Sequence, residues 1–269
     1  MKPHIKLATT RTPDGGEMTL VQHDHDFSIK INGLELMNSR QHESEQELAR
    51  LGCAHLTNHN APCVLIGGLG MGYTLSQALE ILGPDARVIV SELLPDVVTW
   101  NREYLKELNG QSLDDKRTDI ITGDIFQLIS QSTDRFDAIL LDIDNGPNAM
   151  TDSGNQQLYS PIGIQACRQA LRKQGCLAIW STEPSKVFEQ LLMSCGFHVR
   201  RYRVKAYPLS NSKPLFIWVA AEDETILPPD GGEPDQPGKK EPRDNRRHTR
   251  SNFGRRGSSR TVNGPVNRL

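Results

Sequence analysis

The chain has 269 residues, long enough for one substantial core, with 36% apolar residues, a formal net charge of −2 and five cysteines. No apolar run is long enough to span a bilayer, which argues against a membrane protein, and no apolar stretch near Met1 suggests secretion. Cys53, Cys63, Cys167, Cys176 and Cys195 are scattered and include no Cys-x-x-Cys pair, a pattern of free thiols in a reducing cytoplasm rather than a disulfide frame or zinc site.

The first predicted elements form a small β unit. Residues 18–21, 27–31 and 34–37 are short apolar runs. Asn32-Gly33 between the last two signals a type I′ hairpin, whose two turn positions both need positive φ. His23-Asp24-His25-Asp26 reads as a solvated hairpin tip rather than a metal site. Residues 44–55 carry Leu48, Leu51 and His55 at helical spacing behind an acidic start, which predicts a helix.

From Cys63 onward strands and helices alternate. Strands are predicted at 63–66, 87–91, 119–122, 136–141 and 176–180. The helices between them are at 73–82, 95–108, 125–130 and 161–173. A helix at 186–195 and two runs, 197–204 and 215–220, complete the pattern. Such alternation predicts a Rossmann-like α/β fold, a mostly parallel sheet covered on both faces that ends in an antiparallel hairpin. The expected division is residues 1–56 for the β unit and helix, 57–227 for the nucleoside domain and 228–269 for a tail.

That tail is compositionally distinct. Residues 239–269 carry a net charge of +8, so the rest of the chain carries −10. With almost nothing apolar to bury, residues 228–269 read as disordered. The clusters Asn245-Arg246-Arg247 and Gly254-Arg255-Arg256-Gly257 suit a polyanion such as RNA, although a soluble tail without a specific partner is the simpler reading.

The functional signal begins at Gly67-Gly68-Leu69-Gly70-Met71-Gly72, directly after the 63–66 strand. Glycine permits the sharp turn and close approach that a ligand at a strand end requires. The dinucleotide spacing Gly-x-Gly-x-x-Gly fails, because Tyr73 stands at its third glycine. Gly68, Gly70 and Gly72 instead make the tighter loop of an S-adenosylmethionine-type site. Ligands of an open parallel sheet lie beyond the carboxyl ends of its strands, and Glu92, Asp124, Asp142 and Asp144 are the acids expected there. Glu92 suits two ribose hydroxyls. Asp124 suits the exocyclic amine of adenine, with the backbone of Ile125 reading the ring edge. Asp142 and Asp144 stand where an amine nucleophile would be oriented and deprotonated. Glu43, Glu45 and Glu183 add acids suited to a polycation, although solvation on a helix surface is the simpler reading of Glu43 and Glu45.

At these residues the chain resembles the spermidine synthase (polyamine aminopropyltransferase) family. The resemblance rests on the Gly67-Gly68 loop, Glu92, Gly123-Asp124 and Phe136-Asp137-Ala138-Ile139-Leu140-Leu141-Asp142, and runs from about residue 27 to residue 220. It implies a β unit ahead of a methyltransferase-like fold and transfer of an aminopropyl group from decarboxylated S-adenosylmethionine to putrescine or a related amine. It further implies Asp142 as the acid that engages that amine, and a dimer or tetramer, of which a homodimer is the form expected here; no metal is expected. The chain departs from the family at three places. Gly70 replaces the loop aspartate that holds the donor's free amine, Asp142-Ile143-Asp144-Asn145 replaces Asp-Ser-Ser/Thr-Asp, and the tyrosine of a Tyr-x-Glu segment falls on Ser44 or Glu45. Loss of the acid at Gly70 leaves methyl transfer from intact S-adenosylmethionine as the rival reading. A non-catalytic nucleoside- or RNA-associated protein is a third.

Overall fold

The computed structural model describes residues 3–143, 153–207 and 213–231. Of the tail expected to be disordered over residues 228–269, residues 228–231 are described, with the Pro228 carbonyl accepting from Arg200 and Tyr202. Residues 232–269, the basic clusters and Asp144 lie outside the described residues. Among those described, no helix is long and apolar enough to cross a membrane.

The chain begins with a four-stranded antiparallel meander, β1 (His4–Arg11), β2 (Glu17–His23), β3 (Asp26–Ile31) and β4 (Leu34–Asn38). Asn32 and Gly33 have φ of 51° and 82°, the left-handed pair expected of that hairpin. Sequence reading missed β1. Its Ile5 is about half exposed, and its Thr-rich second half gives no apolar alternation.

Helix α1 (Glu43–Cys53) then leads into a second sheet. Its elements are β5 (Cys63–Gly67), α2 (Tyr73–Ile81), β6 (Arg87–Glu92), α3 (Pro95–Glu103), α4 (Lys106–Asn109), β7 (Thr118–Thr122), α5 (Ile125–Ser130) and β8 (Phe136–Leu141). There follow α6 (Ser153–Leu158), α7 (Pro161–Ala170), β9 (Leu171–Ser181), α8 (Lys186–Ser194), β10 (His198–Val204) and β11 (Leu215–Ala221). The strand order is β10-β11-β9-β8-β5-β6-β7, parallel from β9 to β7 and antiparallel at β11 and β10. This is the methyltransferase-like α/β architecture that the alternation predicted.

Two boundaries moved. The predicted 95–108 helix breaks after Glu103, where the chain bends to bury Leu105, and resumes as the short α4. The predicted 161–173 helix stops at Ala170, because Leu171 already pairs with Phe136 of β8.

Both faces of the large sheet are covered, which is why its central strands are continuous apolar runs. Val64, Ile66, Val88, Val90, Leu140 and Ala178 pack on one face with α1, α2 and the N-terminal sheet, whose Met18, Leu20 and Ile29 join the same core. Leu65, Ile89, Ile139, Leu141 and Leu177 pack on the other face with α5, α7 and α8. Helix α1 reaches the first face through Gly52, where an added Cβ would lie 2.1 Å from Leu140 Cδ2 and 3.1 Å from the Ala178 Cβ. From that contact α1 runs back roughly 10 Å to Glu45, at about 1.5 Å per residue, toward the strand ends.

Candidate active site

The loop after β5 is shaped by its neighbours. Gly68, Gly70 and Gly72 all have positive φ, and a Cβ on Gly68 would lie 2.3 Å from the Asp142 carbonyl oxygen. Only glycine fits there, because the loop crosses directly over the end of β8. Asn101, fully buried on α3, donates from Nδ2 to the Gly70 carbonyl at 2.8 Å, and Asn109 Nδ2 donates to Asn101 Oδ1 at 3.1 Å. This asparagine relay holds the loop from behind. Neither asparagine was singled out from sequence, since polar residues on a helix give no sign of facing a loop carbonyl.

Glu92 ends β6 and is 8% exposed. Its Oε2 accepts from Leu69 N and its Oε1 from Leu94 N, both at 2.9 Å, so it ties the glycine loop to the next strand end. Burial pushes its carboxyl above the ordinary range, and those backbone donors oppose the shift. Each oxygen keeps a further lone pair for a ligand hydroxyl. Asp124 is the N-cap of α5 and accepts from Phe126 N at 2.8 Å through Oδ1, beside buried Ile125.

Asp142 follows β8 at the centre of the sheet. Thr74, in the first turn of α2, donates to its Oδ2 at 2.6 Å and also lies 3.3 Å from the Glu45 carbonyl oxygen. Glu45 is drawn into the same place. Burial first, and the charge of Asp142 second, push its carboxyl up to about 7, while Ser44 Oγ donating at 2.5 Å opposes this. Burial likewise pushes Asp142 up to about 6, against the Thr74 hydroxyl.

Glu45 is half-buried rather than fully solvated on the helix surface. It stands within electrostatic reach of Asp142, and its neighbour Glu43 has Oε2 shut off from solvent. Asp142 lies far along the chain from Glu45, which hid this from a local reading. Glu183 behaves otherwise and is exposed. Tyr73, stacked on His42 at 4.3 Å, closes the cluster, and its hydroxyl donates to the Ser39 carbonyl at 3.2 Å. Burial and the nearby Glu45 push its phenol up to about 12.

Met37 of β4 covers the remaining side, its Sδ 3.4 Å from where a Gly70 Cβ would stand. The N-terminal sheet thus places a thioether against the loop. A cavity of about 490 Å³ between α1 and the edge strand β10, lined by Glu47, Leu51, Arg203 and Phe216, lies apart from this cluster.

The arrangement joins a glycine loop, a buried acid on the next strand and paired carboxylates at the centre of the sheet. Residues 47–207 match the spermine/spermidine synthase domain. A polyamine aminopropyltransferase of Saccharolobus islandicus is 31% identical over 122 residues, which cover 45% of this chain and 39% of that protein. One from Shewanella oneidensis is 29% identical over 196 residues, 65% of this chain and 33% of its own. The chain thus spans between a third and two-fifths of these relatives. Its fold is similar to a spermidine synthase solved with the transition-state analogue AdoDATO, with a TM-score of 0.65 and 20% identity over 83% of this chain and 76% of the other. It is equally similar to the Thermotoga maritima spermidine synthase, with a TM-score of 0.66 and 18% identity over 83% and 75%.

Proposed function

The chain belongs to the spermine/spermidine synthase family, and on that premise we propose that it is a transferase. It moves an aminopropyl or related alkyl group from a decarboxylated S-adenosylmethionine-type donor to a small amine, in the cytoplasm. One observation carries this reading. A largely buried carboxylate, Asp142, stands at the centre of the sheet beneath the Gly68 crossing, where the donor's sulfonium end belongs.

In this reading Gly68, Gly70 and Gly72 admit the donor against the backbone, Glu92 takes the ribose hydroxyls, and Asp124 with Ile125 reads adenine. Asp142 orients the acceptor amine and takes its proton. The nitrogen lone pair attacks the carbon beside the sulfonium, the C–N bond forms, and the C–S pair returns to sulfur. Positioning supplies much of the acceleration, because the sulfonium is already activated. Asp144, the second acid read from sequence, is kept as a candidate amine contact. The three-part division at residues 56 and 227, the homodimer and the tail's contact with polyanions belong to the same proposal.

Methyl transfer from intact S-adenosylmethionine is the second reading. It is favoured by Met37, an apolar neighbour where a loop acid would hold the donor's amine. Calorimetric titration with both donors separates the two, since tighter binding of the decarboxylated form supports aminopropyl transfer and tighter binding of the intact form overturns it. Asp142→Asn is expected to lower kcat at least about 100-fold with donor affinity retained. Normal turnover in that variant sinks the assigned role.

A further inference from the structure

The groups around Asp142 are unfinished as a protein interior. Glu43 Oε2 and Trp180 Nε1 are both closed to solvent and have no hydrogen-bond partner among the described residues. Register places Trp180 close to Asp142. Leu141 pairs with Ile179, so Asp142 and Trp180 are the next residues along neighbouring strands, on the face that carries Leu140 and Ala178. Thr74 Oγ1 donates to Asp142 Oδ2 at 2.6 Å and lies 3.3 Å from the Glu45 main-chain carbonyl, so Asp142 and Glu45 meet at one hydroxyl. The Glu45 carboxylate accepts from the Ser44 hydroxyl. Buried polar atoms without partners are costly, and an unpartnered indole one register step from Asp142, with a second acidic residue held at the same Thr74 hydroxyl, marks a place built for a polar ligand.

Resting on the transferase reading, we infer that Glu45 and Asp142 together seat an alkylammonium group of a substrate, and that seating it expels a proton the two carboxylates share. In the free protein the pair holds one proton and one negative charge, because two close carboxylates do not both ionise readily. The groups that bear on Glu45 are Asp142 from the end of β8, Glu43 and the Ser44 hydroxyl from its own helix, and Tyr73 from α2. An arriving ammonium brings its positive charge and three hydrogens. The pair's proton leaves to solvent, and both carboxylates accept from the ammonium. When the seated group is the acceptor's, one of its hydrogens next passes to Asp142 and frees the lone pair for attack.

The ammonium belongs either to the donor's aminopropyl arm or to the acceptor. Both are tested by calorimetry at pH 6.5 in two buffers of different ionisation heat. One titration uses decarboxylated S-adenosylmethionine. The other adds 1,4-diaminobutane to protein loaded with 5′-methylthioadenosine. We expect release of close to one proton in one titration, which identifies the source. In Glu45→Gln that release should vanish and the Kd weaken about tenfold, while Glu45→Asp keeps the release and so controls for folding. Unchanged proton release and affinity in Glu45→Gln, with transfer intact, overturns the inference and leaves the transferase reading standing. Failure of either ligand to bind the wild-type protein in any titration overturns both.

Discussion

Single residues set the geometry of the site, and Gly68 is the most constrained of them. It combines a φ of 85° with a missing Cβ that would lie 2.3 Å from a backbone carbonyl. A side chain there must strain its own dihedral and push β8 away from β5. Gly68→Ala is expected to cost at least about 3 kcal/mol and to abolish donor binding, readable as a shift in the denaturation midpoint and as lost calorimetric heat. The glycine loop and Asp142 were legible in the sequence, because a glycine run after an apolar strand and an acid after another are local patterns. Glu45 was legible only as an acid on a helix. What sets it apart is Thr74, which touches both Asp142 and the Glu45 main-chain carbonyl, and no local spacing records that approach. The asparagine relay behind Gly70 was invisible for the same reason.

At the scale of elements, the central strands were readable because burial on both faces makes them uninterrupted apolar runs, as in Val64-Leu65-Ile66 and Phe136–Leu141. Where burial is one-sided or partial the signal faded, and β1 was lost. Helix ends were read too far at Leu105 and Leu171, since helical periodicity continues past the point where tertiary packing claims the residue. Helix α8 illustrates how an element is fastened. Glu189, 1% exposed, accepts at Oε1 from Arg201 Nη1 of β10 at 2.7 Å and from Trp218 Nε1 of β11 at 2.9 Å. One carboxylate therefore ties a helix to both strands of the terminal hairpin. Arg201→Ala strands a buried charge, and a loss of about 3 kcal/mol is expected in chemical denaturation. Replacing Glu189 as well, by Gln, should recover part of that loss.

For the whole molecule, stability is tied to pH through the same carboxylates. Glu45 and Asp142 have folded-state values raised to about 7 and about 6, above those of an unfolded chain. The folded form therefore holds protons that the unfolded form has lost, and stability falls as pH rises through that range. His55 opposes this in more acidic solution. Burial depresses its value, so stability is lost once the unfolded imidazole begins to charge. The net gain is confined to the interval between pH 8 and about 6.5, where about 1 kcal/mol, or roughly 2–4 °C in Tm, is expected on acidification. Glu45→Gln should flatten that slope, and an equal slope in both proteins contradicts the pairing.

The position at which the tail can be cut is set by the edge of the sheet. Tyr202 OH and Arg200 Nη1 both donate to the Pro228 carbonyl, and Gly231 rests on the Tyr202 ring. Truncation after Gly231 should leave Tm and transfer unchanged. Truncation before Pro228 should cost about 1–3 kcal/mol by stranding the Tyr202 hydroxyl. Loss of transfer in the chain that ends at Gly231 would contradict a transferase confined to the folded part. The unpaired indole beside Asp142 gives the molecule an optical property as well. Trp100 and Trp218 are sealed in the core, whereas Trp180 is partly open and stands one register step from Asp142. On the proposed reading, ligand arrival is expected to shift its emission and to lower its quenching by iodide, and an unchanged spectrum at saturation would contradict a ligand beside Asp142.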